Sequence, residues 1–144
     1  MKAAAVELQR TFAQLEWITP TPAHFMHVTI GHGGGDSFAG IGPFEIAYRR
    51  VNCFNEAVVV EVAGDGPRRL AERHGVPGRL FLPHLTVGYV RSANAPDRLR
   101  EILPPLRNLN LGVQRVEEVV LCRVPAARTT ILEPWTVVKS VQLN

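Results

Sequence analysis

Two short stretches of this chain carry residue types suited to acid–base chemistry. Residues 27–32 read His-Val-Thr-Ile-Gly-His and residues 84–89 read His-Leu-Thr-Val-Gly-Tyr. On an extended strand side chains alternate between faces, so His27, Thr29 and Gly31 share one face of the first segment. His84, Thr86 and Gly88 do the same in the second. Val28, Ile30, Leu85 and Val87 then point the other way, into a core. A larger side chain in place of either glycine would fill the space above the His/Thr pair. Each segment therefore reads as half of a site with room for a ligand, and Gly31 and Gly88 become candidate floors of that site.

The chemistry follows from the side chains. In-line cleavage of a phosphodiester needs a base to deprotonate the attacking hydroxyl or water, and an acid to protonate the leaving oxygen on the opposite side. Two histidines facing each other across a phosphate, one neutral and one protonated, supply both near neutral pH. Threonine hydroxyls one pleat further along donate to the non-bridging oxygens as charge builds there. Nothing in this scheme calls for a metal or another cofactor. A zinc reading of His24, His27 and His32 fails on geometry, because His24 and His32 point away from His27 on a regular strand and no cysteine or carboxylate has ligand spacing nearby. A single histidine-x-threonine on a strand is commonplace. Two copies with matched apolar partners, both on segments that read as strands, are not.

The surrounding sequence contains the elements such a site needs. Residues 2–17 place Val6, Phe12 and Leu15 among good helix formers, which predicts an amphipathic helix ended by Thr19-Pro20-Thr21-Pro22. Strands are expected at 25–31, 43–51, 57–63, 83–90, 114–124 and 134–143, with Asn55-Glu56 marking a hairpin between the second and third. Short helices are expected at about 67–74, with Pro67 in the first turn, and at 96–103, stopped by Pro104-Pro105. A glycine-rich loop runs from Gly31 to Gly42; its Gly33-Gly34-Gly35 run lacks the Lys-Ser/Thr of a P-loop and reads as a lid beside the first pair. Strands in hairpins interrupted by a few helices indicate an α+β fold with antiparallel sheet, in one domain spanning residues 1–144.

Bulk properties agree. The chain has 144 residues, is 46% hydrophobic and 20% charged, and carries a net charge of +3. Its basic residues are nearly all arginine, whose planar fork suits phosphate. They are scattered, with no polybasic tract, which favours a small phosphorylated ligand or an RNA terminus over a long duplex. No apolar run is long enough to span a bilayer, and the first residues lack the apolar core of a signal peptide, so a cytoplasmic protein without a membrane partner is expected. Cys53 and Cys122 lack ligand spacing and read as reduced, buried thiols.

The tetrads His27-Val28-Thr29-Ile30 and His84-Leu85-Thr86-Val87 resemble the paired histidine-hydrophobic-threonine-hydrophobic (HxTx) signature of the two-histidine (2H) phosphoesterase superfamily, in its 2′-5′ RNA ligase-like branch. The lead-in Phe81-Leu82-Pro83 to His84 and the closing strand from Trp135 to Leu143 are similar to that family as well. The resemblance implies a bilobed α+β fold: two pseudo-symmetric antiparallel-sheet lobes, helices on the outside and a central cleft. It also implies metal-independent phosphodiesterase activity on 2′,3′-cyclic phosphates or 2′-5′ linkages of RNA ends or nucleotides, with RNA ligase activity as the reverse. Members begin with a strand before the first helix, whereas this chain begins almost in the helix. The resemblance thus implies a lobe short of one strand, or an edge covered by a second copy in a homodimer.

Other residues are weaker candidates. Phe25, on the face of His27 if the strand is regular, either stacks on a base or packs in the core. Tyr48, Tyr89, Arg49, Arg50 and Arg91 are candidates for phosphate or base contacts. The competing functional reading is a nucleotide- or RNA-binding module that keeps the cleft without turnover. A third is a structural α+β domain with incidental tetrads.

Overall fold

The valine-rich segment at 57–63 organises the main sheet. In the computed structural model, which describes residues 2–32, 38, 40–54, 56–91, 95–124 and 135–144, the chain divides into two compact units. The first comprises Met1–Thr29, Ala47–Ala63 and Leu82–Val113, and the second Ile30–Ile46, Gly64–Phe81 and Gln114–Asn144.

A long strand β2 (Phe44–Phe54) turns back into β3 (Ala57–Ala63), as the hairpin signal predicts. β3 pairs in turn with β4 (His84–Val90), antiparallel. A three-residue strand β1 (Ile18–Pro20) closes one edge on β4, and β5 (Asn110–Val116) closes the other on β2, giving the order β1-β4-β3-β2-β5. Val58, Val59 and Val60 are wholly buried, as are Leu85 and Val87 to within 1%. Helix α1 (Lys2–Phe12) lies against β1 and β4 and buries Ala5, Leu8 and Phe12 on one stripe. Helix α3 (Ala95–Ile102) adds Leu99, with Leu103 just beyond it.

The second unit has a smaller core. Helix α2 (Asp65–Arg73) buries Leu70, which clusters with Ile41 and Leu143. Ile30, Phe38, Phe44, Val116 and Val119 pack around them. The hairpin β6 (Glu118–Arg123) and β7 (Thr136–Gln142) forms a separate two-stranded sheet. Both units are therefore antiparallel sheet with helices, the expected α+β class. No helix among the described residues is long and apolar enough to cross a membrane.

Four elements differ from expectation. The first helix stops at Phe12, and the chain turns so that Trp17 and Ile18 enter the core. The Thr19-Pro20 pair, read as a breaker, instead lies in β1; at an edge the missing N–H of Pro20 costs no ladder bond. The strand expected at 25–31 is a 3-10 turn (Ala23–Phe25) followed by a single antiparallel bridge at Val28. The strand expected at 114–124 is divided at Glu117 between β5 and β6, which belong to different sheets. The expected lid at Gly33-Gly34-Gly35 lies outside the described residues.

Tyr48 is a core residue rather than a ligand contact: it is 3% exposed, and burial pushes its phenol from 10.0 to about 12. A phenol whose folded value is raised contributes stability that is complete below its unfolded value and is lost as pH rises towards the folded one. Denaturation curves should therefore show stability falling as pH climbs from about 10, and Tyr48→Phe should flatten that fall. An identical alkaline slope in the variant would contradict it.

Candidate active site

The bridge between Val28 and Leu85 sets the geometry of the two tetrads. It is antiparallel, so carrying the pairing one residue either way puts His27 opposite Thr86 and Thr29 opposite His84. In that register the four side chains would stand at the corners of a rectangle on one face, with a histidine at each of two opposite corners. Directly opposed residues have Cβ atoms about 5 Å apart and diagonal ones about 7–8 Å, so the two imidazoles flank a space of phosphate size. Leu85, on the other face, is 1% exposed and anchors the bridge in the core. His27 and Thr29 are exposed, and His84 and Thr86 half-buried.

Both rings are oriented in the same way. The Nδ1 of His27 lies 2.6 Å from the carbonyl oxygen of Phe25, and the Nδ1 of His84 lies 2.7 Å from that of Leu82. A carbonyl only accepts, so each Nδ1 carries the proton and donates it two residues back. In the neutral ring this fixes the tautomer whose lone pair is on Nε2; in the charged ring Nε2 becomes the second donor. The same bond to a carbonyl two residues back is thus repeated at both tetrads and leaves Nε2 of each ring as the nitrogen for chemistry. Among the described residues no three His, Cys, Asp or Glu side chains gather as a metal site would require.

The sequence gives no hint of two further residues at this site. Phe54, at the end of β2, meets the His84 ring edge to face at 4.8 Å and 82°, while 39% of it stays exposed. It braces the imidazole and leaves an aromatic face outward. Gln9 of α1 reaches the carbonyl oxygens of Thr21 and Val87, each at 2.7 Å. Val87 also accepts from the Thr21 amide at 3.0 Å. One side-chain amide therefore ties the segment entering the first tetrad to the strand carrying the second. The alternation of an amphipathic helix marks Gln9 only as a boundary position, so its role is visible only once the segments meet.

The open space expected beside the glycines is filled. A Cβ on Gly31 would overlap the ring of His74, whose Nε2 donates to the carbonyl of His32 at 2.8 Å. A Cβ on Gly88 would lie 2.9 Å from Ile18 Cγ2 and 3.3 Å from the Thr19 carbonyl oxygen. Val58 pairs with Gly88 while Val59 pairs with Thr86, so a bulge at Val87 breaks the alternation and Gly88 leaves the His84–Thr86 row. Both glycines admit neighbouring protein, not a ligand. Phe25 sits in the 3-10 turn, so strand alternation does not put it beside His27; its ring is 4.1 Å from His24. Tyr89 is half-buried between Thr19 and Ala57 in the ladder. Arg91 is exposed beyond β4, held by its amide to the Trp17 carbonyl.

No protein-family model matches the chain. Among solved structures it is similar to TT0787 of Thermus thermophilus, with a TM-score of 0.71 and 19% identity over 99% of this chain and 91% of that one. It is also similar to E. coli LigT in apo form, with a TM-score of 0.69 and 17% identity over 99% and 90% of the two chains. LigT has also been solved complexed with 3′-AMP, and that structure superposes with a TM-score of 0.68. The chain thus has the fold of TT0787 and LigT, with its second tetrad on a strand of that fold and its first tetrad bridged to it. Among curated proteins it is similar to RNA 2′,3′-cyclic phosphodiesterase of Methanothermobacter thermautotrophicus, 29% identical over 141 residues that span 81% of this chain and 77% of the relative.

Two substitutions test this geometry by denaturant unfolding. Gly88→Val should destabilise by about 1–3 kcal/mol through overpacking against β1; unchanged stability would reopen Gly88 as a ligand-lining position. Gln9→Ala should cost about 1–2 kcal/mol for the lost hydrogen bonds. The isosteric Gln9→Glu should cost more, because a carboxylate would face two carbonyl oxygens with nothing to donate. Equal stability of the Gln9→Ala and Gln9→Glu proteins would remove the clamp.

Proposed function

We propose that this protein is a phosphodiesterase that hydrolyses 2′,3′-cyclic phosphates, or 2′-5′ linkages, at the ends of RNA or in nucleotides. The observation that carries the reading is the antiparallel bridge that sets each histidine across from the other tetrad's threonine. Both imidazoles are held by the same Nδ1–carbonyl bond. The curated relative's name supports the cyclic phosphate, and the LigT complex with 3′-AMP supports a nucleotide ligand for the fold.

His27, His84, Thr29 and Thr86 divide the work as follows. The Nε2 lone pair of one imidazole takes a proton from water as its oxygen bonds to phosphorus. The P–O bond on the far side breaks, and Nε2–H of the second, protonated imidazole delivers its proton to the leaving ribose oxygen. The hydroxyls of Thr29 and Thr86 donate to the non-bridging oxygens, on which charge grows in the transition state. The Nδ1–H bonds to the Phe25 and Leu82 carbonyls hold each ring in one orientation and leave its Nε2 for the proton transfers. With a ribose hydroxyl in place of water as the attacking group, the same proton transfers open the cyclic phosphate and join RNA ends. The reaction as written uses no metal and no cofactor.

Turnover of 2′,3′-cyclic nucleotides should persist in EDTA and follow a bell-shaped pH profile, because one ring must be neutral and the other protonated. His27→Ala and His84→Ala should each lose about a thousand-fold or more, and Thr29→Ala and Thr86→Ala about ten- to a thousand-fold. Activity restored only by an added divalent ion, or indifferent to both histidines, would end this reading. Tight binding of the nucleotide without turnover would select a binding module instead.

A further inference from the structure

A basic depression lies on the first unit, one strand away from His84. It has a volume of about 560 Å³ and is lined by Arg49, Arg50, Glu61, Arg107, Asn108 and Asn110, among others. The ladder fixes its position relative to the tetrads: Arg49 pairs with Glu61, and Glu61 pairs with His84. Residues paired directly across a sheet project from the same face. His84, Glu61 and Arg49 therefore form one row across three strands, and Arg49 and Glu61 line the pocket on the face that bears His84. Arg49 lies two strand spacings from His84, about 10 Å.

The charge in this pocket is arranged for an anion. Glu61 accepts from Asn52 at 2.9 Å and from Arg50 at 3.0 and 3.1 Å, so its carboxylate is already engaged. Against that one carboxylate stand three guanidinium groups. Among the described residues neither Arg49 nor Arg107 has a carboxylate within ion-pair distance, and both are exposed. Asn108 and Asn110 bring side-chain amides that donate to a phosphate or to a ribose hydroxyl. The backbone is built around the same spot. Arg50 occupies a bulge with φ of +43°, a left-handed conformation that non-glycine residues rarely adopt. Its amide is held by the carbonyl of Leu109 at 3.1 Å, which draws the Arg107–Asn110 segment to the pocket.

We propose that this pocket binds an internal phosphodiester of a single-stranded RNA whose terminal cyclic phosphate lies between His27 and His84. The inference rests on the function proposed above and extends it from the reacting group to the strand behind it. Single-strand binding usually combines cationic contacts to the backbone with an exposed aromatic ring for a base; Phe54 offers such a ring against His84, outside the lining of the pocket. A mononucleotide reaches the histidines but not this pocket, so the arginines discriminate in favour of oligomers.

The test compares adenosine 2′,3′-cyclic monophosphate with a short oligoribonucleotide ending in a 2′,3′-cyclic phosphate. Arg107→Glu should lower kcat/KM for the oligomer by about tenfold or more, the loss expected when a charged hydrogen bond is removed, and change turnover of the mononucleotide far less. Binding is measured separately, by fluorescence anisotropy of the same oligomer ending in a 3′-phosphate, with Arg49→Ala, Arg107→Ala and the double variant. Each arginine removed should weaken binding and reduce the salt dependence by about one ion. Thermal melting of each variant confirms the fold, and Arg107→Lys, which keeps the charge but not the fork, should fall between wild type and Arg107→Glu. Unchanged oligomer affinity and salt slope in the double variant overturn the pocket, whether or not the protein turns over either substrate. Equal losses on oligomer and mononucleotide overturn it as well. A wild type that binds the oligomer through Arg49 and Arg107 but hydrolyses neither substrate keeps the pocket and rejects the phosphodiesterase reading.

Discussion

The site depends on one backbone pairing, the bridge between Val28 and Leu85. Fifty-seven positions separate these residues in the chain, and the pairing brings both tetrads into antiparallel register. The sign of that register matters as much as its existence. A parallel pairing would set histidine beside histidine and threonine beside threonine. The antiparallel one sets each histidine beside the other segment's threonine and the two imidazoles on a diagonal. A diagonal is what an in-line reaction needs, since base and acid must act on opposite sides of phosphorus.

The rest of the first unit keeps that pairing from slipping. Leu85 and Val87 are buried against a β3 whose Val58, Val59 and Val60 are wholly enclosed, so β4 cannot shift by one residue without turning its apolar set outward. The first tetrad has no such ladder, only a bridge, and it draws support from Gln9 and the Thr21 amide through the carbonyl of Val87. Strength is thus unevenly divided: one tetrad is built into a strand, and the other is fastened to it by side-chain and backbone hydrogen bonds. The matching Nδ1 bonds then orient the rings from within each segment, independent of what holds the segments together.

The two bulges act on the same face. At Val87 an extra residue ends the alternation just past Thr86, which lets β1 close against Gly88 and seals the edge of the sheet. At Arg50 an extra residue in β2 lets Arg49 and Arg50 both address Glu61, one through the ladder and one through an ion pair.

Residue types and spacing were enough to pick out the paired tetrads, the hairpin that follows β2, the second tetrad's strand and the α+β class, because periodicity and side-chain type are local properties. The glycines at 31 and 88 looked like vacated space for the same local reason, and tertiary packing filled both, one with His74 and one with β1. The first tetrad read as a strand because its apolar residues alternate; only the partner segment decided that a single bridge would form there. Gln9, Phe54 and Arg107 carry no signal of their own in the chain, and Arg49 and Arg50 stand out only by residue type, without the neighbours that make a pocket of them. Their roles come from distances between residues far apart in sequence, and those distances are set by strand order and register, which only the folded chain contains.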